Sequence, residues 1–443
     1  MARAPTTPDR CNILLVGGGG REHALAWKLK QSRRLGKLWL AQSNDNAALA
    51  QLGEPMPFPL DIRAPFHVQR WCDKNDIHLI VVGPEQPLAD GIADVFATES
   101  RLVFGPTKAG AMIESDKAWA KELMRSAAIP TGESRAFRNA DAAYEYIDSR
   151  EEPVVVKASG LAAGKGVVVC DTRAQAEDAI ERIMRQREFG EAGSTIVIEE
   201  KLSGQEVSVL ALTDGRAIWV LDPCQDHKQV GEGDTGLNTG GMGAYCPTPL
   251  LDEEMLGTIE RDILVPAIDA LRREGIVYRG VLYAGLMLTH AGPKVLEFNC
   301  RFGDPECEAL MARLRSDLVE VLWATSSCTL REVELEFDER ASCTVVMCSA
   351  GYPGPYEKGQ LITDIDDANA MDDVVVFHAG TKRDASGNIV TNGGRVLAIT
   401  ALGDDLRAAR DRANEACAKI HFEGAHYRRD IGDRVLKREP VLR

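Results

Sequence analysis

Residues 295–306 read V-L-E-F-N-C-R-F-G-D-P-E, a run that sets a carboxylate, an amide and a guanidinium at every second position. Along a strand, alternate residues share a face, so Glu297, Asn299 and Arg301 fall on one side and Leu296, Phe298, Cys300 and Phe302 on the other. A carboxylate and an amide oxygen in a row are hard ligands of the kind Mg2+ takes, and the guanidinium beyond them is a fixed positive fork for phosphate. The chemistry this suits is phosphoryl transfer. An edge strand with a charged, wet face is the plain alternative. The turn Gly303-Asp304-Pro305-Glu306 and the glycine loops elsewhere weigh against it.

Three of those loops could handle anions or nucleotides. Residues 12–16 form an apolar strand that meets Gly17-Gly18-Gly19-Gly20 and then Arg21-Glu22-His23, a helix start whose free N–H groups suit a phosphate. A dinucleotide site would need glycine where Glu22 stands, and an acidic residue after the next strand, where Gln42-Ser43-Asn44 follow instead. Residues 153–157 and 167–170 read as strands around a glycine loop bracketed by Lys157 and Lys165. With Gly166 and a β-branched run after the second lysine this is a flap over phosphates, not a P-loop. Residues 226–245 hold so many glycines that they form no core, and a polar loop of that length is expected to be functional. A strand over 195–199 running into Glu200-Lys201-Leu202 offers backbone groups to an adenine edge, and Glu206 could accept from ribose hydroxyls.

The elements that must carry these groups fall into three textures. Strands at 12–16, 37–41, 78–82 and 102–104, most ending in a glycine turn, indicate a parallel α/β sheet with ligands at the strand C-termini. From about residue 127 a second unit begins, after a helix over 115–126. It holds the glycine hairpin, strands at 195–199, 207–212, 280–289 and 294–301, and helices over 252–274 and 310–323. From residue 341 short strands at 343–348, 374–377 and 396–401 and a helix over 404–420 describe a small α+β domain that names no chemistry, and His227, His378, His421 and His426 read as structural or surface residues.

At 443 residues the chain is long enough for roughly three domains. Its formal charge of -15, with no extended basic run, argues against a nucleic-acid surface. The 11 cysteines have no C-x-x-C pair and read as small core residues of a reducing cytosol. Neither a signal peptide nor an apolar run of membrane-spanning length is present, so the expectation is a cytoplasmic protein.

Taken together, the hairpin lysines, the E-E-K-L edge and the E-x-N-x-R strand resemble the ATP-grasp ligases, and within them the glycinamide ribonucleotide synthetase family. The resemblance runs through residues 17–23, 105–117, 157–166, 226–245, 297–306 and 427–432. The 234–243 loop and the R-F-G-D-P-E turn are its most specific parts. Two departures stand out: Ala41-Gln42-Ser43-Asn44 where the family has A-P-G-N, and Leu237 where it has proline. The first touches the phosphoribosyl contacts. The fold so implied is an N-terminal parallel α/β domain (11–112), an ATP-grasp domain (113–330) with a mobile lid at about 130–199, and a C-terminal α+β domain (331–443).

The resemblance implies that ATP, glycine and 5-phosphoribosylamine give ADP, phosphate and glycinamide ribonucleotide through an acyl phosphate, a step of purine synthesis. It puts Mg2+ or Mn2+ on Glu297 and Asn299 and the transferring phosphoryl group on Arg301. ATP phosphates go to Lys108, Lys157 and Lys165 with Gly164 and Gly166, and adenosine to Glu199, Glu200, Lys201, Leu202 and Glu206. Substrate contacts go to Gly19, Gly20, Arg21, Glu22, Asp226, Thr239, Gly240, Gly241 and Asp304. The partners implied are small molecules only, with no nucleic acid and no membrane, and the expected state is a monomer. Another ATP-grasp ligase or carboxylase, or a nucleotide-binding regulator without turnover, are the competing readings. The absence of a carboxylate over residues 281–288 counts against the carboxylases, and the intact metal row against the regulator.

Overall fold

A computed structural model describes residues 6–41, 45–162 and 164–437. The departing turn at Gln42, Ser43 and Asn44 lies outside them, as does Ala163 of the glycine hairpin.

The N-terminal unit is a parallel sheet whose strands lie in the order Glu54–Pro55, Leu35–Ala41, Cys11–Val16, Ile77–Val82, Leu102–Phe104. Its central strand is apolar from Ile13 to Val16 because both faces are covered: Ile13 and Leu15 enter one core, Leu14 and Val16 another. The helix Gly20–Leu29 starts at the C-terminal end of that strand.

Two antiparallel sheets follow. The first, in the order Ser134–Phe137, Ile196–Glu200, Val154–Ala158, Val167–Cys170, encloses a core of its own that includes Phe137, Ile147, Val156, Ile180 and Ile198. The second, in the order Ile218–Val220, Gln205–Thr213, Gly280–Thr289, Gly292–Asn299, packs into the two large cores shared with the N-terminal unit.

The remaining five-stranded sheet has the order Gln225–Asp226, Gly243–Cys246, Ala341–Cys348, Arg395–Gly403, Val374–His378. Two of its strands therefore come from the middle of the chain, across the boundary expected at residue 330. Residues 226–245 are not the open loop that their glycines suggested. Besides those strands they form a hairpin of Gln229–Gly231 with Thr235–Asn238, turning at Gly233 and Asp234, both at positive φ.

Two helices also differ from expectation. The helix expected over 115–126 runs Lys117–Ser126 and is set off from a preceding helix, Lys108–Ser115, because Asp116 is extended and its carboxylate caps the second by accepting from Trp119 N at 3.1 Å. The one expected over 310–323 is Glu306–Arg313 followed by Leu318–Ser327, the latter capped by Asp317. Among the described residues no helix is long and apolar enough to cross a membrane, and all 11 cysteines are free.

Candidate active site

The strand Gly292–Asn299 is the floor of the site, and a β-bulge shapes it. Val295 pairs with Leu286 and Glu297 with Gly285, so Leu296 is an extra residue opposite no partner. The expected alternation fails at that point. Val295, fully buried, takes the core position, and Leu296 turns to line a cavity with Glu297, Phe298, Asn299 and Arg301. The freed carbonyl of Leu296 accepts from Lys157 Nζ at 3.1 Å, which joins the floor to the hairpin sheet above it.

That cavity lies between the two antiparallel sheets. Glu85, Glu114, Lys117, Lys121, Lys157, Gly164 and Gly166 complete its polar lining. Its volume of about 120 Å³ is well below the several hundred Å³ of ordinary ligand pockets, so a nucleotide enters only if the sheets part. Glu199, in the hairpin sheet, ties that sheet to the helix Lys117–Ser126. It is 5% exposed and pairs with both Lys121 and Lys157.

Charge in the cavity is strongly coupled. Burial alone would raise the Glu297 carboxyl, but Lys228, Lys157, Lys117 and Arg301 outweigh it and hold it down to about 2. A carboxylate kept ionised beside the Asn299 amide is a donor set that suits a hard divalent cation. Among the described residues there is no cluster of three His, Cys, Asp or Glu side chains that could hold a metal, so any ion here has few protein ligands. Arg301 is fixed by Glu114 at 2.7 Å, Glu85 at 3.3 Å, Asn299 at 3.4 Å and the Phe302 carbonyl at 3.3 Å. Of the five N–H groups of a guanidinium, this leaves one on Nη1 uncommitted. Glu114 also accepts the Cys300 N–H at 2.8 Å. Burial nonetheless raises its carboxyl, against the pull of Arg301.

Not every expected ligand of ATP arrives. Lys108 is exposed at the start of its helix, its N–H on Asp94, away from the cavity. Lys165 is exposed at the hairpin tip, while its neighbours Gly164 and Gly166 line the cavity. The Glu199 carboxylate is spent on lysines. Glu200 pairs with Lys294 at 3.5 Å, Lys201 pairs with Asp171, and Leu202 is outside the lining, as is Glu206, which holds Lys228 Nζ at 3.2 Å. Lys117, Lys121, Glu85 and Glu114 line the cavity instead and were not anticipated, and Lys228, outside the lining, acts on Glu297. Lys117 and Lys121 had a signal, being one turn apart on one helix face.

A second corner forms where three chain segments meet. At the first helix the expected free N–H groups are partly taken: Glu22 accepts the Gly19 N–H at 2.6 Å and Arg21 Nε at 2.7 Å, so its own carboxylate occupies an anion position. Arg21 goes on to the Phe302 carbonyl at 3.1 Å, and Gly20 packs under Glu308, whose two oxygens are buried without a hydrogen-bond partner. Nearby, Gly241 has φ +115°, and a Cβ there would stand 2.5 Å from Pro305 Cδ and 2.9 Å from Asp226 Oδ1. Thr239 binds the Lys228 carbonyl through its hydroxyl at 2.7 Å.

Arg395, from the C-terminal sheet, ties this corner together. Its Nη1 reaches the carbonyls of Gly240 and Asp304 at 2.7 and 2.8 Å and the Asp304 carboxylate at 3.0 Å. Burial and the nearby Glu306 push the Asp226 carboxyl well up. The arrangement is a cation-rich cavity for polyphosphate, flanked by a corner of buried carboxylates and backbone groups suited to small polar substrates.

Comparison with known proteins agrees over nearly the whole chain. Phosphoribosylglycinamide synthetase family models match in order: the N domain over residues 11–114, the ATP-grasp (A) domain over 115–307 and the C domain over 342–434. A phosphoribosylamine–glycine ligase of Rhodopirellula baltica is 52% identical over 435 residues, 97% of this chain and 98% of that one. The trifunctional purine biosynthetic protein adenosine-3 of Chironomus tentans is 45% identical over 430 residues, 96% of this chain but 31% of its own length. Among solved structures, phosphoribosylamine–glycine ligase from Thermotoga maritima superposes with a TM-score of 0.78 at 31% identity, covering 95% of this chain and 100% of that one.

Proposed function

The chain belongs to the phosphoribosylglycinamide synthetase family, and from that premise we propose how its site ligates glycine to 5-phosphoribosylamine at the expense of ATP. The observation that carries the reading is the row Glu297, Asn299, Arg301 on the cavity floor, facing Lys117, Lys121 and Lys157. The glycine carboxylate attacks the γ-phosphorus, ADP leaves, and the ribosylamine nitrogen then displaces phosphate from the glycyl phosphate to give glycinamide ribonucleotide. Such transfers depend on positioning and charge stabilisation rather than on a protein nucleophile.

In this reading Glu297 and Asn299 hold Mg2+ or Mn2+, which when bound neutralises charge on the polyphosphate. Arg301, held in plane by Glu85 and Glu114, meets the transferring phosphoryl group with its free N–H. It gains a second donor if the nearby phosphate competes with Asn299. Lys157 and Lys117 take ATP phosphates, with Gly164 and Gly166 above them. Lys165 joins only if the lid brings it in, Lys108 only if its own helix turns toward the cavity, and residues 199–202 and Glu206 meet adenosine once Glu199 is drawn off its lysines. Asp226, Thr239, Gly240, Gly241 and Asp304, with Gly19, Gly20, Arg21 and Glu22, form the substrate corner. The working units are 11–112, 113–330 with a lid at about 130–199, and 331–443, in a monomer of the cytoplasm. The separate core of the lid sheet supports the lid assignment.

The test is phosphate release from ATP, with and without glycine and phosphoribosylamine. Release should require glycine, and Arg301→Lys should keep ATP affinity while losing on the order of 10²-fold in kcat. Release that ignores glycine overturns the reading. An unchanged kcat removes Arg301 from it.

A further inference from the structure

Residues 426–434 pack against the segment 226–239, and the contact is made of charges. Arg428 is 1% exposed. Its Nε and Nη2 donate to the two oxygens of Asp430 at 2.9 and 2.8 Å, and its Nη1 to Asp234 Oδ1 and the Gln229 carbonyl, both at 3.0 Å. Arg434 forks onto the same Asp234 from outside, at 2.7 and 2.6 Å, and its Nη1 reaches the Asp226 carbonyl at 3.1 Å. Backbone bonds run alongside: Gly432 N to His227 Nε2 at 3.2 Å, Gly233 N to Asp430 Oδ2 at 2.8 Å, and Arg429 N to Glu232 Oε1 at 3.1 Å.

This is a costly way to attach a tail. Burying a guanidinium and carboxylates is repaid only when nearly every donor and acceptor is met, and apolar contact would hold the tail as well. What ion forks add is direction, since a planar guanidinium fixes distance and plane together. The segment they fix starts at Asp226, the end of the strand Gln225–Asp226, and runs on to Lys228. Lys228 reaches Glu206 at 3.2 Å and is the leading cation acting on Glu297. Its carbonyl also holds Thr239 through both the backbone N–H and the hydroxyl, each at 2.7 Å. One displaced carbonyl at Asp226 would therefore move several site groups together.

We propose that Arg428 and Arg434 are positioning residues for ligation: the C-terminal stretch 426–434 is a clamp that sets Asp226 and Lys228 in the active site through Asp234. The inference rests on the ligase reading for its activity assay only. Its structural half can be read without substrates.

The decisive variants are Arg434→Gln, Arg434→Lys and Asp234→Asn. The Arg434 and Asp234 side chains are 20% and 33% exposed, so these changes leave the buried Arg428 itself in place, although Asp234→Asn also weakens its ion pair. Arg434→Gln should lower kcat on the order of 10-fold to 10²-fold, as a small misplacement of reacting groups does, with ATP affinity within about twofold. Arg434→Lys, which keeps the charge but not the fork, should recover part of the loss, and Asp234→Asn should resemble Arg434→Gln. In the absence of substrates, amide exchange across 226–239 should quicken in both Arg434→Gln and Asp234→Asn. Unchanged exchange and unchanged kcat overturn the clamp. So does a loss of turnover that only follows the fraction unfolded, since that is a structural role. If the unaltered protein shows no glycine-dependent phosphate release, the ligase reading falls, and the exchange measurement still decides the clamp.

Discussion

The hairpin of residues 157–170 and the segment 226–245 are both rich in glycine, yet the first belongs to a sheet with its own core and the second is bolted to two other parts of the chain. Around Gly164, its chain neighbours aside, no heavy atom of the described residues comes within 4 Å of an added Cβ, and the hairpin reaches the floor through Lys157. Around Gly241 the backbone is hemmed in by Pro305 and Asp226, and Arg395 and Arg434 pin the strands on either side. Glycine thus leaves open space in one place and permits close approach in the other.

The sharpest break of this contrast is Gly241→Ala. Its positive φ and the overlap with Pro305 should cost about 1–3 kcal/mol of local strain, and the displaced turn should lower ligation by on the order of 10²-fold, read as kcat in a protein that still folds. Next is Lys157→Ala, which removes both the pairing with Glu199 and the bond to the Leu296 carbonyl. It should weaken ATP binding by on the order of tenfold, the loss of a charge-assisted contact, as measured by nucleotide titration.

A third probe is acid. Burial by itself would raise the Asp234 carboxyl, but Arg434 and Arg428 hold it at about 2. A carboxyl depressed in the folded state contributes its full stability above its unfolded value near 4 and loses it as pH falls through 2. Corrected for the intrinsic exchange rate at each pH, amide protection in 226–239 should hold at pH 5 and fall as pH drops from about 4 toward 2, whereas Asp234→Asn should lower it already at pH 5. The smallest effect belongs to Gly164→Ala, a left-handed position in open space. It should cost about 1 kcal/mol and leave kcat near its original value. In the same assay the lid, not 226–245, should gain exchange protection when ATP and Mg2+ are added.

The parallel sheet, the lid hairpin and the row Glu297, Asn299, Arg301 were legible because each rests on short-range pattern: apolar runs, flanking glycines, period two. The bulge at Leu296 was not, since an extra residue is defined only against Gly285 and Leu286 on the neighbouring strand. Lys108 and Lys117 both follow the third glycine turn closely. Which one faces the cavity depends on the helix break at Asp116, a capping event that ordinary helical spacing hides. Glu199 pointed toward nucleoside by its place in E-E-K-L. Its lysine partners come from a helix and a strand that only the fold brings beside it. Arg395 and Arg434 lie 155 and 208 residues from the groups they hold, and no local motif in the C-terminal part distinguishes them.

The interleaved C-terminal sheet imposes an order on the chain's assembly. Gly243–Cys246 is an interior strand whose one neighbour is Gln225–Asp226, close by in sequence, and whose other is Ala341–Cys348, almost a hundred residues later. During synthesis the sheet of residues 134–200 can close around its own core as it emerges, because its strands are all in hand, whereas the N-terminal sheet shares its cores with later residues. The strand Gly243–Cys246 has to wait with one edge open until Ala341–Cys348 arrives, and Asp226 waits with it. The hairpin sheet and the strand Gly292–Asn299 can thus be built on a nascent chain well before the corner at Asp226 and Gly241, and a chain stopped short of residue 341 would carry Lys157, Glu297 and Asn299 beside an unpaired strand edge.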